Sequence, residues 1–225
     1  MSEPRAPRDV QVRTKENLLK AAESLFAEQG IGGASLRAIT RKAGANLAAV
    51  HYHFGSKEHL VAAVLSRRLD PLNRERMELL EACERAAGSE PPDPECIVRA
   101  FVYPVLRMVQ RQRGGHDFAR LVGRAFSEPG DEIRKLVLER FREAIDRFTR
   151  ALARALPHLP KDEIYWRFHF MVGAMVHTAG LGFLAHDYSG GVCNPLDIEG
   201  VTRRLVAFLG AGMRRAAAEE PEVLE

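Results

Sequence analysis

Cysteine is scarce in this 225-residue chain: it occurs three times, at Cys83, Cys96 and Cys193. The number is odd, the spacing is wide and no C-x-x-C pair is present, so neither a zinc cluster nor a disulfide framework is indicated. Long hydrophobic runs are also missing. The most apolar stretch, Phe168 to Ala185, contains His169 and His177 and falls short of the roughly 20 residues that span a bilayer. It reads as a buried helix. The first residues lack the apolar core of a signal peptide, so a reducing cytoplasm is the expected location, with no membrane partner. No segment alternates apolar and polar residues as a half-buried strand does, and no internal repeat stands out. Enzyme signatures are absent too: there is no phosphate loop, nucleophile elbow, zinc-binding HExxH or Glu-x-x-His pair. A helical-bundle enzyme stands only as an alternative reading, and no cofactor is expected.

What is there is an ordinary globular composition, 46% hydrophobic and 28% charged, on a length that suits one large or two small domains. The net charge of +3 is unevenly placed. The first sixty residues carry nine Lys/Arg against six Asp/Glu, and the remainder carries 24 of each. A local basic surface attracts phosphate. A nonspecific architectural DNA-binding protein is a second alternative, but it would call for a broader basic surface and no large neutral remainder.

Helix start and stop signals divide the chain. Residues 1–13, rich in Pro, Arg and Ala, read as a disordered basic tail whose Arg5, Arg8 and Arg13 could reach phosphates or a minor groove. Thr14 reads as the N-cap of a first helix, with Leu18, Leu19, Ala22, Leu25 and Phe26 at helical spacing and Gly30 as its stop. Ser35 caps a second helix with Leu36, Ile39 and Ala43 on its inner face, and Gly44 closes it. Asn46 caps a third, whose inner contacts are Val50 and Phe54. Ser56 opens a long fourth helix that Pro71 would interrupt or bend. The clearest break is GSEPPDP, residues 88–94. Beyond it, helices are expected over about 95–112, 117–126, 131–156, 161–185 and 195–215. The last takes Asn194 as its cap and Pro195 as its first helical residue. The chain therefore reads as all-α, with a small unit over 14–60 and a larger bundle over 61–225.

The second and third helices carry the functional signal. A helix-turn-helix needs a small residue before the turn, a glycine within it and apolar inner faces, so that two helices cross closely. Thr40, Gly44 and Val50 fall at those offsets. The recognition helix must be thin and polar where it meets base edges. Asn46, Ala48, Ala49 and His51 suit that, since an alanine methyl can meet a thymine methyl. On these residues the N-terminal part resembles the TetR family of bacterial regulators. The matching stretches are LLKAAESLFAEQG at 18–30, then Ser35, Ile39 and Ala43-Gly44, and HFGSKE at 53–58 with Leu60.

The resemblance implies that Ser35 and Lys57 contact phosphate. It implies that Asn46, Leu47, Ala48 and His51 face base edges, that Tyr52 and His53 contact the sugar-phosphate backbone, and that Phe54 packs against the first helix. Thr40 stands where the family usually has alanine, and its hydroxyl is expected to bond back to the Leu36 carbonyl. His51 stands where tyrosine is more usual; a histidine there would make binding mildly pH-dependent.

The same resemblance implies that residues 61–225 form a helical effector-binding and dimerisation domain behind a three-helix DNA-binding domain. Readers of this type bind palindromic double-stranded operators as twofold dimers. The last two long helices are the dimerisation candidates. One offers Trp166, Phe170, Val172, Gly173, Val176, Gly180 and Leu184, and the other Val201, Leu205, Phe208, Leu209 and Gly212. Candidates for an effector cavity are Phe101, Phe118, Phe148, Trp166, His169 and Met171, with Arg167, His177 and Thr178 as polar groups that could orient a ligand. His169 and His177 are eight positions apart, not the three or four of a helical metal pair, and no metal is expected. The expected function is a homodimeric repressor released from its operator by a small apolar or aromatic molecule.

Overall fold

The computed structural model describes residues 7–111 and 131–217. Among them the regular elements are nine helices: α1 (Pro7–Gly33), α2 (Leu36–Ala43), α3 (Leu47–Phe54), α4 (Lys57–Ala87), α5 (Pro94–Arg111), α6 (Asp131–Ala155), α7 (Lys161–Leu181), α8 (Phe183–Tyr188) and α9 (Ile198–Arg214). The helix expected over 117–126, with Phe118, lies outside the described residues, as does Arg5. The chain divides into two compact units. The first holds the described residues up to Pro71 with Asp131–Phe141, and the second holds Leu72–Arg111 and the described residues from Arg142 onward.

In the first unit α1, α2 and α3 pack on one another. Leu18, Ala22, Phe26, Ile39 and Val50 are fully buried there, and the start of α4 adds Leu60, Val64 and Leu65. Glu23, buried on α1, accepts from Arg68 at 2.9 Å, while Arg67 pairs with Glu16 at 3.3 Å. The Arg68 bond satisfies a carboxylate that burial alone would make costly. Two expectations at the N-terminus are corrected. The helix begins at Pro7, so residues 7–13 lie in α1. Proline is tolerated in a first turn, where its missing N–H has no acceptor in any case. Thr14 is therefore not a cap, and its hydroxyl donates to the Val10 carbonyl at 2.9 Å. The Gly30 stop is in place: its φ of 78° breaks α1 there, and one more turn follows to Gly33.

The second unit centres on Phe101. Its ring meets Phe148 and Phe168 edge-on, each at 5.0 Å between centroids. α5 packs on α7 and α9, and α7 packs on α9. The approach of α9 to α5 is close enough that a Cβ at Gly210 would collide with the Glu95 side chain. Arg99 pairs with Glu199 at 2.9 Å, and Arg214 with Asp93 at 2.7 Å. α4 and α5 each run continuously through a proline, Pro71 and Pro104. Buried Leu69 and Leu72 flank Pro71, so side-chain packing outweighs its helix penalty of about 3 kcal/mol.

Three further sequence expectations are revised here. The cap of α9 is Asp197, whose carboxylate accepts the Gly200 N–H at 2.9 Å. Asn194 instead accepts the Leu196 N–H at 2.9 Å, closing a turn around Pro195. Arg167, a candidate for orienting a ligand, is engaged by the chain's own backbone. It donates to the carbonyls of Gly212, Met213, Arg215 and Ala216 at 2.6–3.1 Å, where unpaired carbonyls at a helix C-terminus favour a cation.

The third revision is chemical: Cys83 on α4 and Cys96 on α5 form a disulfide, their Cα atoms 5.9 Å apart. The bond was invisible in the sequence because the break at 88–94 folds two helices together, and cysteine spacing carries no signature of that. Closing a loop of this length restricts the unfolded chain by about 3 kcal/mol. Cys83→Ala is accordingly expected to lower the urea midpoint by an amount that reductant reproduces in the native sequence and does not increase in the variant.

Candidate nucleic-acid interface

Each end of the two-helix motif is closed by a residue chosen for it. Ser35, extended at φ −87°, accepts the Ala38 N–H on its hydroxyl at 3.1 Å and starts α2. Gly44 ends α2 in the left-handed region at φ 64°, ψ 34°, a conformation that costs a residue with a Cβ about 1 kcal/mol or more. That turn lets the Ala45 N–H reach the Thr40 carbonyl at 2.9 Å. Thr40 is buried, and its hydroxyl donates to the Arg37 carbonyl at 3.1 Å rather than to Leu36.

Asn46 starts α3 by accepting the Ala49 N–H on Oδ1 at 2.8 Å. Its amide nitrogen is left pointing away from that cap bond as a donor. Asn46→Ala is expected to cost about 1 kcal/mol of stability through the lost cap. Asn46→Asp should keep it, as urea denaturation of both variants would reveal.

α3 has two unlike sides. Val50 and Phe54, four apart, are buried against the rest of the unit, whereas Leu47, Ala48, His51 and Tyr52 are exposed, Tyr52 at 72%. Helical periodicity places those four on one face. His51 donates from Nδ1 to the Gly55 carbonyl at 3.0 Å, which leaves Nε2 directed outward. His53 is half-buried, with its ring edge-on to Tyr52 at 5.0 Å. Gly55, at φ 78°, then separates α3 from α4.

The start of α4 is capped by Ser56, whose hydroxyl accepts the His59 N–H at 3.2 Å. A hydrogen bond from Ser56 also holds the Glu58 carboxyl below the usual carboxylate range. Lys57 is half-buried and donates to the Gly32 carbonyl at 3.4 Å, a long bond that a phosphate oxygen could replace. The motif and the start of α4 thus collect a thin exposed helix face, three capped helix N-termini with their partial positive charge, and a lysine. Arg37 and Arg41 were not singled out from the sequence. They are exposed on α2, four apart, and the signal was available: both fall opposite buried Ile39.

Phe118 lies outside the described residues, and the other five effector candidates separate. Phe101, Phe148 and Met171 are buried in the second unit. Met171 shares its face of α7 with Ile164, Phe168, Met175 and Ala179. Trp166 and His169 lie on the exposed face of the same helix, Trp166 at 58% exposure and stacked on Phe170 at 5.9 Å. His177 is exposed as well. Among the described residues there is no group of three or more His, Cys, Asp or Glu that could hold a metal, and no helix is long and apolar enough to cross a membrane.

Comparison with known proteins converges on this motif and on the bundle. Residues 18–64 match the family model of bacterial regulatory proteins of the tetR family. Residues 99–212 match that of the tetracyclin repressor-like C-terminal domain. The HTH-type transcriptional regulator SrpR of Pseudomonas putida is 41% identical over 59 residues, 26% of this chain and 28% of SrpR. The HTH-type transcriptional dual regulator CecR of Shigella flexneri is 35% identical over 98 residues, 44% of each chain. The chain thus spans well under half the length of these curated relatives.

Among solved structures, the fatty acid degradation regulator FadR from Bacillus halodurans aligns with a TM-score of 0.64 at 14% identity, over 95% of this chain and all of that one. The TetR family regulator PfmR from Thermus thermophilus aligns with a TM-score of 0.61 at 17% identity, over 96% of this chain and all of that one. At such identities these likenesses establish the fold. With a helix-turn-helix matched at one end and a family-specific helical domain matched over half the sequence, the chain belongs to the TetR family of bacterial transcriptional regulators.

Proposed function

We propose that the protein is a homodimeric repressor that binds a palindromic operator through α3 and leaves it when a small molecule occupies the second unit. The observation that carries the reading is the exposed face of α3. Leu47, Ala48, His51 and Tyr52 are exposed, yet the helix is capped, anchored by Val50 and Phe54, and flanked by Ser35 and Lys57. Asn46, through its amide donors, and His51, through Nε2, are assigned to base edges with Leu47 and Ala48. Tyr52, His53, Lys57, Ser35, Arg37 and Arg41 are assigned to the phosphate backbone.

Dimerisation is supported by the apolar surface at Trp166, Phe170 and Phe208, where the last is 75% exposed. Large aromatic groups left in water on neighbouring helices mark an interaction surface. Gly173 and Gly212 on the same helices have open space around them, which lets a second copy approach closely. Repression would end when a ligand favours a dimer geometry that no longer matches the half-site spacing, a coupling of about 1–3 kcal/mol.

The test is a gel-shift titration of the purified full chain against DNA from upstream of its own coding sequence. Retardation that survives excess nonspecific competitor and weakens steeply with salt is the expected result. Equal retardation of unrelated DNA would reduce the reading to nonspecific binding, and no retardation would reject it.

A further inference from the structure

Arg76, on the part of α4 that belongs to the second unit, is 1% exposed. Its guanidinium lies over the Phe101 ring, with Cζ 3.8 Å from the centroid. Nε donates to the Phe101 carbonyl at 3.0 Å, Nη1 to Asn73 Oδ1 at 3.2 Å, and Nη2 to the Met175 sulfur at 3.5 Å. No carboxylate of the described residues pairs with it. Its sequence neighbour Glu75 is bonded instead to Arg107 at 2.6 Å. Burial lowers the guanidinium to about 9, so it still carries its charge at neutral pH.

Glu75 acts on this cation only through space; a buried cation with no carboxylate bonded to it is unfavourable, and an apolar side chain of similar volume usually stabilises a core better. The guanidinium is also under-used. A thioether is among the weakest acceptors in a protein, and the fork of Nη1 and Nη2 is shaped for two carboxylate oxygens. Methionine is the side chain best able to move aside, being unbranched and flexible. The Phe101 ring that the guanidinium covers is itself buried and packed edge-on by Phe148 and Phe168.

From this placement we infer that the effector is an organic anion, a carboxylate on an apolar body, with Arg76 as its charge anchor. The carboxylate takes the place of the Met175 sulfur and the apolar body lies against the phenylalanines. The inference rests on the ligand-released regulator reading and names the class of its ligand. The purely architectural alternative is that Arg76 only ties α4 to α5 through the Phe101 carbonyl and ring.

The two differ in a binding experiment on the full chain, using calorimetry and thermal melting. The probes are decanoate with 1-decanol, and 3-phenylpropionate with 3-phenylpropanol, below micelle-forming concentrations. At least one acid is expected to bind tenfold or more tightly than its alcohol. Arg76→Met should then weaken that acid by roughly tenfold to a hundredfold, the usual worth of hydrogen bonds to a charge, and leave the alcohol unchanged. Arg76→Lys, which keeps the charge without the fork, should fall between. It carries the comparison if the methionine variant fails to fold by circular dichroism.

Binding of neither acid, equal binding of acid and alcohol, or an acid preference undiminished in the Arg76 variants would each overturn the inference. Ligand-free gel shifts separate the two readings. A chain that binds its upstream DNA but no acid keeps the repressor and loses the anion. A chain that binds acids through Arg76 but no DNA does the reverse.

Discussion

Phe208→Glu is expected to yield a folded monomer that binds operator DNA at least a hundredfold more weakly. Phe208 projects from α9 at 75% exposure, while Val206 and Gly210 on the opposite side of that helix are buried. The substitution therefore leaves the packing of α9 on α5 and α7 untouched. In a symmetric interface each copy contributes the residue, so two aromatic contacts are lost and two carboxylates must give up water on association. A central aromatic is typically worth about 2 kcal/mol or more. Two such losses weaken dimerisation by roughly a thousandfold. Operator binding follows, because one recognition helix makes too few contacts to hold a site alone. Sedimentation velocity at micromolar concentration together with a gel shift checks both parts. A dimer that persists with full DNA affinity would move the interface elsewhere on the molecule. Trp166→Ala, on α7, should weaken the same association without introducing charge.

The second large effect lies in the head. Phe26 is fully buried on α1 among Leu18, Ala22, Ile39 and Val50. Removing a core phenylalanine side chain costs about 3–5 kcal/mol, a large part of the 5–15 kcal/mol that holds a whole domain. Phe26→Ala is expected to unfold the first unit near physiological temperature while the second unit, with its own phenylalanine core and its disulfide, stays folded. Circular dichroism should then show a melt in two steps, and DNA binding should disappear with the first of them. Leu47→Ala is the control: Leu47 is partly exposed on α3, so its loss should leave stability within about 0.5 kcal/mol and affect only DNA contacts. A single unshifted melt in Phe26→Ala would contradict the independence of the two cores.

How far the sequence could be read depended on how local each determinant was. The caps Ser35 and Asn46, the left-handed Gly44 and the inward pair Val50 and Phe54 were all legible, since each acts within about four residues of chain. The outward face of α3 followed from them by periodicity alone. Thr40 was misread by one carbonyl and the cap of α9 by three residues, Asp197 for Asn194, because two local polar groups competed for the same helix start and nothing in the pattern ranks them. α1 starts at Pro7, earlier than its proline-rich composition suggests, because a proline in the first turn forfeits no helical hydrogen bond.

Helix identity and the exposed face of α3 were thus determined by sequence alone, because hydrogen bonds three and four residues apart and a 3.6-residue apolar period write themselves into consecutive positions. Tertiary structure alone decided which apolar residues are interior. It put Phe101, Phe148 and Met171 in a core and left Trp166, Phe170 and Phe208 in water. It also joined Cys83 to Cys96, turned Arg167 into the cap of a helix 45 residues away, and buried the charge of Arg76 among phenylalanines. Those outcomes depend on which helix faces meet, and side chains far apart in the chain settle that jointly through packing.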